Sequence, residues 1–195
     1  MRALAIAVGS ETARAAVGAL GWVRVGGPDG DLIVVFSDAG IAAVAMASDA
    51  RSDERTASDA LPPHLRSYGL QHAATPPSGL IEALRSGDGS ALAYDLRGAS
   101  PFERAVWSAT LGIPKGSVRT YGEIALAIGR PKAMRAVGNA LGRNPIPILI
   151  PCHRVVRQSG DPGHYGLGDG MKRRLLEAEG VALRAAPNKR VVLAG

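Results

Sequence analysis

The sequence predicts an α/β N-terminal domain with an antiparallel sheet, followed by a mainly α C-terminal domain that contains a helix-turn-helix. Alternating apolar runs separated by glycine turns predict the sheet, and two capping boxes ahead of apolar runs predict the helices. A length of 195 residues is enough for one or two hydrophobic cores. We place the division between residues 92 and 93, which gives an N-terminal domain of 1–92 and a C-terminal domain of 93–195.

In the N-terminal domain, three apolar runs and two intervening turns predict a hairpin or meander. The runs are Trp22–Val25, Leu32–Phe36 and Ile41–Met46, and the turns lie at 26–30 and 38–40. The polar stretch from Ser48 to Ala60 is expected to be a loop. A helix is expected from Pro77 to Arg85, ended by Gly87.

The C-terminal domain is expected to open with a helix that begins at the Ser100–Glu103 capping box and ends near Leu111. A second capping box, Thr120–Glu123, starts another helix, and a third helix is expected over 132–141. The short Gly-Arg-Pro connection between the last two makes the stretch 117–142 a helix-turn-helix candidate, although short helix pairs are common. A helix over 171–179 and a final strand or ordered tail over 189–193 complete the domain.

The charge balance favours a polyanionic partner. Lys and Arg number 23 against 17 for Asp and Glu, so the net charge is +6; this suits nucleic acid, but also a merely basic soluble protein. The single cysteine excludes an internal disulfide and a multi-cysteine zinc site, and His64 and His72 have no metal-ligand partners at suitable spacing. A free thiol suits a reducing cytoplasm, and no apolar run approaches the ~18 residues of a membrane span. We therefore expect a cytoplasmic protein with no membrane partner.

That cysteine, Cys152, lies between a proline and a histidine, in a turn between two apolar segments. The segments 148–150 and 155–156 are expected to be short buried strands. A thiol reacts as its thiolate, and the neighbouring His153 can act as the base that forms it. Adjacent side chains of an extended chain point to opposite faces, so a bridging water can carry the proton. Taken locally, a buried structural cysteine is an equally good interpretation.

A series of short motifs runs through the C-terminal half in a specific order. In chain order these are Pro101-Phe102, Val106-Trp107, Ile113-Pro114-Lys115-Gly116, Thr120-Tyr121-Gly122-Glu123-Ile124-Ala125, Arg135-Ala136-Val137-Gly138-Asn139-Ala140, Asn144-Pro145, Pro151-Cys152-His153-Arg154 and Leu175-Leu176-Glu177-Ala178-Glu179-Gly180. From Ser100 to Gly180 the chain resembles the O6-alkylguanine-DNA alkyltransferase (methylated-DNA–protein-cysteine methyltransferase) family. The resemblance implies direct-reversal DNA repair, in which the alkyl group of O6-alkylguanine in double-stranded DNA is transferred irreversibly to Cys152 after base flipping. It also implies a single turnover per molecule, no cofactor or metal, and action as a monomer.

The resemblance assigns roles to individual residues. Cys152 is the nucleophile, His153 its base, and Glu179 orients His153 and favours its charged form; Tyr121 turns the nucleotide, and Asn144 is a hinge before the active-site segment. The implied DNA-binding residues are Arg135 (a finger that fills the space of the extruded base), Tyr121, Thr120, Ala136 and Gly138. The implied pocket residues are Pro147, Tyr165, Gly166 and Leu167, and Arg154 is expected to be structural.

The chain departs from the commonest family pattern at two pocket positions. Leu167 stands where many members have a small residue, and Gly166 where serine is common. The main rival function is a sensor that binds alkylated DNA without repairing it, although such relatives replace the reactive cysteine. A Cys-His-Glu hydrolase would have no use for a helix-turn-helix, and the remaining rival is a transcriptional regulator that uses the helix pair alone.

Overall fold

The computed structural model describes residues 20–47, 53–186 and 190–193, which form two compact units. The described part of the first unit runs from Leu20 to Ser100 and includes the short segment Pro145–Leu149. The second unit contains Pro101–Asn144 and continues from Ile150. The expected domain division at residues 92 and 93 stays a prediction. No helix in the described ranges is long and apolar enough to cross a membrane.

A four-stranded sheet organises the first unit. Its strands are β1 (Leu20–Gly27), β2 (Gly30–Ser37), β3 (Gly40–Met46) and β4 (Leu70–His72), in the order β3-β2-β1-β4. The predicted meander is confirmed, since β1, β2 and β3 pair antiparallel with Val23 opposite Val34. β4 pairs parallel with β1, so the sheet is mixed and the expectation of a purely antiparallel sheet is wrong. The long connection between β3 and β4 is what permits a parallel pair.

The expected loop over 48–60 is wrong in its described part, where α1 spans Asp53–Ala60. Residues 48–52 lie outside the described residues. The helix has a polar composition, but its Ala57 is buried in the core cluster that contains Leu20 and Ile33, together with Leu61 and Leu65 from the segment after the helix. Tertiary burial of this small apolar face therefore outweighs poor helix propensity. The next helix, α2 (Leu80–Ser86), ends at Gly87 in the left-handed conformation, as the sequence predicts.

A buried carboxylate, Asp95, links the end of β2 to the segment that leads out of the first unit. Its oxygens accept hydrogen bonds from Ser37 Oγ at 2.6 Å and from Arg97 Nε at 2.7 Å. Burial alone would raise the pKa of Asp95, but the hydrogen bonds from Arg97 and Ser37 outweigh it and lower the pKa below the ordinary value. A lowered folded-state pKa stabilises the protein above the unfolded-state pKa and is lost as the pH falls through the folded-state pKa.

We expect Asp95→Ala to lower the free energy of unfolding by about 1–3 kcal/mol at neutral pH, because it leaves Ser37 and Arg97 without their acceptor. The loss should shrink on acidification, since the wild-type carboxylate is then protonated as well. Urea unfolding followed by circular dichroism measures both effects. The matched control is Glu82→Ala, which removes a carboxylate from an exposed pair with Arg85 and should cost less than about 0.5 kcal/mol. Equal losses for the two variants would contradict the role of Asp95.

Helices and short strands make up the second unit. They are α3 (Pro101–Leu111), β5 (Arg119–Thr120), α4 (Tyr121–Ala127), α5 (Met134–Gly142), β6 (Val155–Val156), α6 (Asp169–Ala178), β7 (Leu183–Ala186) and β8 (Arg190–Leu193). β5 pairs parallel with β6, and β7 pairs antiparallel with β8. The predicted capping box at the start of α4 is present: Thr120 accepts from the Glu123 amide, and the Glu123 carboxylate accepts from the Thr120 amide.

Packing against α3 fixes the orientation of α5. The indole Nε1 of Trp107 donates to the Ala140 carbonyl at 2.9 Å, and both residues are buried. Val137 also lies inside, whereas Arg135 and Ala136 are exposed. The small residues of this helix therefore lie on both its buried side and its exposed side. Some of them let α5 pack closely on α3, and the others leave the outer side of the helix slim.

The short strand expected at 148–150 is absent, although the one expected at Val155–Val156 is confirmed as β6. Ile148 has a φ of 73°, a left-handed conformation that is exceptional for a β-branched residue. The stretch Pro145–Leu149 is held by hydrogen bonds to its carbonyls within the first unit instead of by a ladder. The Val44 amide donates to the Pro145 carbonyl at 2.9 Å, and the Tyr94 hydroxyl lies 3.4 Å from the Leu149 carbonyl oxygen.

Candidate active site

Cys152 is the first residue of a short 3-10 helix, Cys152–Arg154, and is 7% exposed. Asn144 holds it from the end of the preceding segment. The side-chain amide Nδ2 of Asn144 donates to the Ile150 carbonyl at 2.9 Å and to Cys152 Sγ at 3.1 Å. One amide group therefore orients both the backbone before the cysteine and the sulfur itself. A hydrogen bond to sulfur stabilises the thiolate more than the thiol.

His153 points away from solvent and contacts Glu179, the residue that ends α6. Its Nε2 lies 3.0 Å from Glu179 Oε1. Burial alone would raise the pKa of Glu179, but the hydrogen bonds from His153 and Arg154 outweigh it and lower the pKa to about 2. The ionised carboxylate can only accept, so we assign the imidazole proton to Nε2. In the described residues Nδ1 is buried with no hydrogen-bond partner, which leaves its lone pair to accept a proton.

Arg154 shares the same carboxylate. Its Nε donates to Glu179 Oε2 at 2.9 Å, a terminal nitrogen donates to Oε1 at 2.7 Å, and another donates to the Ile113 carbonyl at 2.7 Å. The positive charge of Arg154 thus offsets part of the negative charge that Glu179 presents to His153. Burial lowers the pKa of His153 more than Glu179 raises it, so the imidazole is neutral at physiological pH. Glu179 does favour the charged imidazole, but burial outweighs that contribution.

Burial also controls the thiol. It raises the pKa of Cys152 above the ordinary value, against the hydrogen bond from Asn144, the charge of Lys172 and a hydrogen bond from Tyr165, which each lower it. The resting protein therefore carries a thiol, surrounded by groups that favour its ionised form. A neutral imidazole beside a thiol of this kind is the arrangement of a nucleophile and its base.

A cavity of about 700 Å³ lies in front of the sulfur. Its lining residues are Thr120, Tyr121, Gly122, Met134, Arg135, Gly138, Leu141, Gly142, Cys152, Arg157, Gln158, His164, Tyr165 and Gly166. The volume is in the range of pockets that hold small organic molecules. α4 and α5 supply one wall and the loop between β6 and α6 supplies the other, so a molecule in the cavity contacts the helix pair and the cysteine together.

The structure brings most of the expected residues together. Thr120, Tyr121, Arg135, Gly138, Tyr165 and Gly166 line the cavity with Cys152, and Asn144, His153 and Glu179 are linked to the cysteine or to its neighbour. Ala136 is exposed on α5 but is not in the lining. Leu167 is half-buried and also outside the lining, and Pro147 is buried in the first unit. The pocket roles of these two residues stay predictions.

Three residues that the sequence did not single out belong to the site. Arg157 lines the cavity and is anchored by Asp161, whose carboxylate lies 3.2 Å from its guanidinium. His164 bonds Asp169, which also accepts from the Tyr165 amide at 3.0 Å and so fixes the loop. Lys172 is buried on α6. The sequence does contain a signal for it, because Lys172 precedes the apolar residues Leu175 and Leu176 by three and four positions and so lies on the same face of the helix. A lysine on the apolar face of a helix needs a partner for its charge.

A cysteine thiol on a cavity, a neutral histidine next to it in the chain, a cavity wall made of two helices and a net charge of +6 together suit a class of protein that performs nucleophilic chemistry on a nucleic acid. Comparison with known proteins makes the class specific. Residues 101–181 match the family model of the 6-O-methylguanine DNA methyltransferase, DNA binding domain. A methylated-DNA–protein-cysteine methyltransferase of Salmonella typhimurium is 42% identical over 126 residues, which are 62% of this chain and 74% of that protein. The chain belongs to the methylated-DNA–protein-cysteine methyltransferase family.

Other relatives agree over shorter or longer ranges. A probable methylated-DNA–protein-cysteine methyltransferase of Acanthamoeba polyphaga mimivirus is 57% identical over 77 residues, 39% of this chain and 51% of that protein. The chain thus spans about half the length of this relative. The crystal structure of Mycobacterium tuberculosis OGT in complex with DNA aligns with a TM-score of 0.66 and 34% identity, over 82% of this chain and 93% of that one. The crystal structure of the O6-methylguanine-DNA methyltransferase of Pyrococcus kodakaraensis aligns with a TM-score of 0.67 and 30% identity, over 83% of this chain and 99% of that one.

Proposed function

We propose that this protein repairs DNA by direct reversal, moving the alkyl group of O6-alkylguanine to Cys152 in one irreversible event per molecule. The observation that carries the proposal is the position of Cys152 on a cavity whose opposite wall is the α4–α5 pair. Relatives named for methyl transfer from DNA to a protein cysteine, and a solved relative in complex with DNA, support the same activity here.

In the proposed reaction His153 Nδ1 accepts the proton of the Cys152 thiol, directly or through a water. The sulfur attacks the alkyl carbon, an S–C bond forms, and the bond from that carbon to O6 breaks. The electron pair stays on guanine, which takes a proton from Tyr121 or a nearby donor. Burial raises the pKa of Tyr121 more than Arg157 lowers it, so the phenol stays protonated and can donate its proton to the departing guanine. The thioether is stable and no second nucleophile releases it.

We propose that α4 and α5 act as a helix-turn-helix whose second helix enters the minor groove. The outer side of α5 is slim at Ala136 and carries Arg135, which suits a narrow groove and a finger that replaces the extruded base. Chemistry on a paired guanine requires that the base be flipped out, and a cavity of about 700 Å³ has room for it. The partner in this proposal is double-stranded DNA, and the protein binds it as a monomer. The free thiol suits the reducing cytoplasm as the place of action.

Mass spectrometry after incubation with a duplex containing O6-methylguanine tests the proposal. The protein should gain the mass of one methyl group, on the peptide that contains Cys152, and the DNA should lose it in equal amount. Tight binding of the duplex with no change in mass would identify a damage sensor instead. Repeated turnover would identify a hydrolase-like enzyme.

Arg135→Ala should slow transfer from duplex DNA by about 10–100-fold and transfer from free O6-methylguanine hardly at all. The reason is that the finger stabilises the flipped state and not the chemical step, and flipping costs a few kcal/mol. Single-turnover rates on the two substrates give the comparison. Arg104→Ala, which removes a positive charge from α3 instead of from the cavity wall, is the matched control for charge. Equal losses on both substrates would remove the finger role.

Leu167 is expected to restrict large substituents. We expect slow reaction with free O6-benzylguanine, because the leucine side chain competes for the space of the ring at a cost of about 1–3 kcal/mol, or roughly 5- to 150-fold in rate. Leu167→Gly should accelerate that reaction and leave repair of methylguanine in DNA nearly unchanged. If the wild type and Leu167→Gly react with benzylguanine equally fast, Leu167 does not form the pocket wall.

A further inference from the structure

Lys172 is a buried cation with almost no compensation. Its side chain lies on α6 with 1% of its surface exposed, and its Nζ donates to the Val155 carbonyl at 2.7 Å. An ammonium group has three protons to donate, and this carbonyl is the single hydrogen-bond acceptor that the described residues offer it. Burying an ammonium without an opposite charge is costly, so a lysine in this position requires an explanation.

The other buried charges of the site do not supply one. Glu179 is already occupied by Arg154 and His153. Two carboxylates interact with Lys172 at longer range: Asp161, which is bonded to Arg157, and Asp169, which is exposed and bonded to His164. Arg157 and Lys172 repel one another, as do Lys172 and a charged His153.

Besides Asp161 and Asp169, Cys152 is the group whose negative charge acts on Lys172. Lys172 lies in the first turn of α6, and α6 packs on the 3-10 helix Cys152–Arg154. The acceptor of the lysine, Val155, is the residue that directly follows this 3-10 helix. Burial lowers the pKa of Lys172 to about 8, while the cysteine acts in the opposite direction and raises it. The coupling is reciprocal, since Lys172 lowers the pKa of Cys152. With Glu179 paired to Arg154, the buried site is electrically neutral only when the sulfur is a thiolate.

We propose that Lys172 is a positioning residue of this site, a buried counter-cation that stabilises the thiolate of Cys152 and is left uncompensated when the sulfur becomes a thioether. The proposal rests on the proposed function insofar as Cys152 is the reactive thiol. It adds that the cation favouring ionisation comes from α6, and that alkylation changes the charge balance of the core. The lysine then loses its proton more readily, so the alkylated protein should gain stability as the pH rises toward the pKa of an unfolded lysine.

The rate at which iodoacetamide alkylates Cys152, measured by mass spectrometry from about pH 7 to 11, tests the first half without DNA. Lys172→Met keeps the length of the side chain and removes its charge. It should move the midpoint of the profile up by about one pH unit, which is about tenfold in rate below the midpoint. Lys172→Arg should restore part of the shift, and Lys115→Met, which removes an exposed lysine, should leave the midpoint unchanged. A wild-type midpoint in Lys172→Met would overturn the proposal.

A second measurement needs no substitution and tests the charge balance directly. Wild-type protein is alkylated at Cys152 with iodoacetate in one sample and iodoacetamide in another, which leaves an anionic or a neutral group of nearly the same shape. If Lys172 needs a counter-charge, the carboxymethyl protein has the higher Tm. If it does not, the carboxymethyl protein has the lower Tm, because a buried carboxylate is costly. Transfer from methylated DNA is assayed separately, so a failed repair activity and a failed role for Lys172 give different results.

Discussion

Cys152→Ala should accept no methyl group from O6-methylguanine in duplex DNA, while the wild type should accept one per molecule. The sulfur is the atom that forms the new bond, and the described residues place no second thiol in the cavity. Gel analysis of the repaired duplex and the mass of the protein both report the loss. Transfer at the wild-type rate to any other residue of the variant would contradict the assignment.

Binding is the control that separates chemistry from positioning in this variant. DNA affinity should change by less than about threefold, because Tyr121 and Arg135 still form the cavity wall. Removing the sulfur takes away one acceptor of the Asn144 amide, at a cost of about 1 kcal/mol in stability. Affinity should fall as salt rises, because lysine and arginine contacts to phosphate release counterions. Salt-independent binding would contradict DNA as the polyanionic partner.

His153→Ala and Glu179→Gln should each slow transfer, by about 10²–10⁴-fold for the histidine, which is the usual contribution of a positioned base. Together they should cost little more than His153→Ala alone, because Glu179 acts on the thiol through His153 Nε2. Single-turnover rates of the two single variants and the double variant complete the cycle. Independent, multiplying losses would show that Glu179 does not support His153.

The stability of these variants differs for a reason that the structure makes clear. Glu179 also neutralises the buried Arg154, so its loss should destabilise the protein by about 3–5 kcal/mol even where the chemistry survives. His153→Ala removes no charge from the core and should cost less. Rates must therefore be compared per folded molecule, with unfolding measured in parallel. Arg154→Met combined with Glu179→Gln removes both charges and should recover stability without recovering rate.

The local features of this chain were predictable because neighbouring residues determine them. The alternation and glycine turns of β1 to β3 set one face of a sheet, and the Thr120–Glu123 capping box fixes the start of α4 within four residues. Gly87 ends α2 because a left-handed residue is needed there. The motif around Cys152 likewise indicates a thiol chemistry and a resemblance to one family from the sequence alone.

Features that depend on distant residues were not predictable in this way. α1 forms in a polar segment because Ala57 is buried in the core of the sheet, and β4 lies parallel to β1, which the long connection from β3 permits. Ile148 adopts a left-handed conformation because the segment around it bonds to strands and turns far away in the chain. Each of these outcomes is a gain in burial or hydrogen bonding that exceeds the local preference.

The sequence by itself therefore predicts which residues carry the proposed chemistry, since Cys152, His153 and Glu179 stand in a specific order along the chain. Only the tertiary structure decided their ionisation. It brings Arg154 to the same carboxylate as His153, directs the Asn144 amide at the sulfur, and buries Lys172 where its charge lowers the pKa of a thiol twenty residues before it. Protonation states follow from burial and from the net charge of groups brought together in space, and no local pattern along the chain encodes that sum.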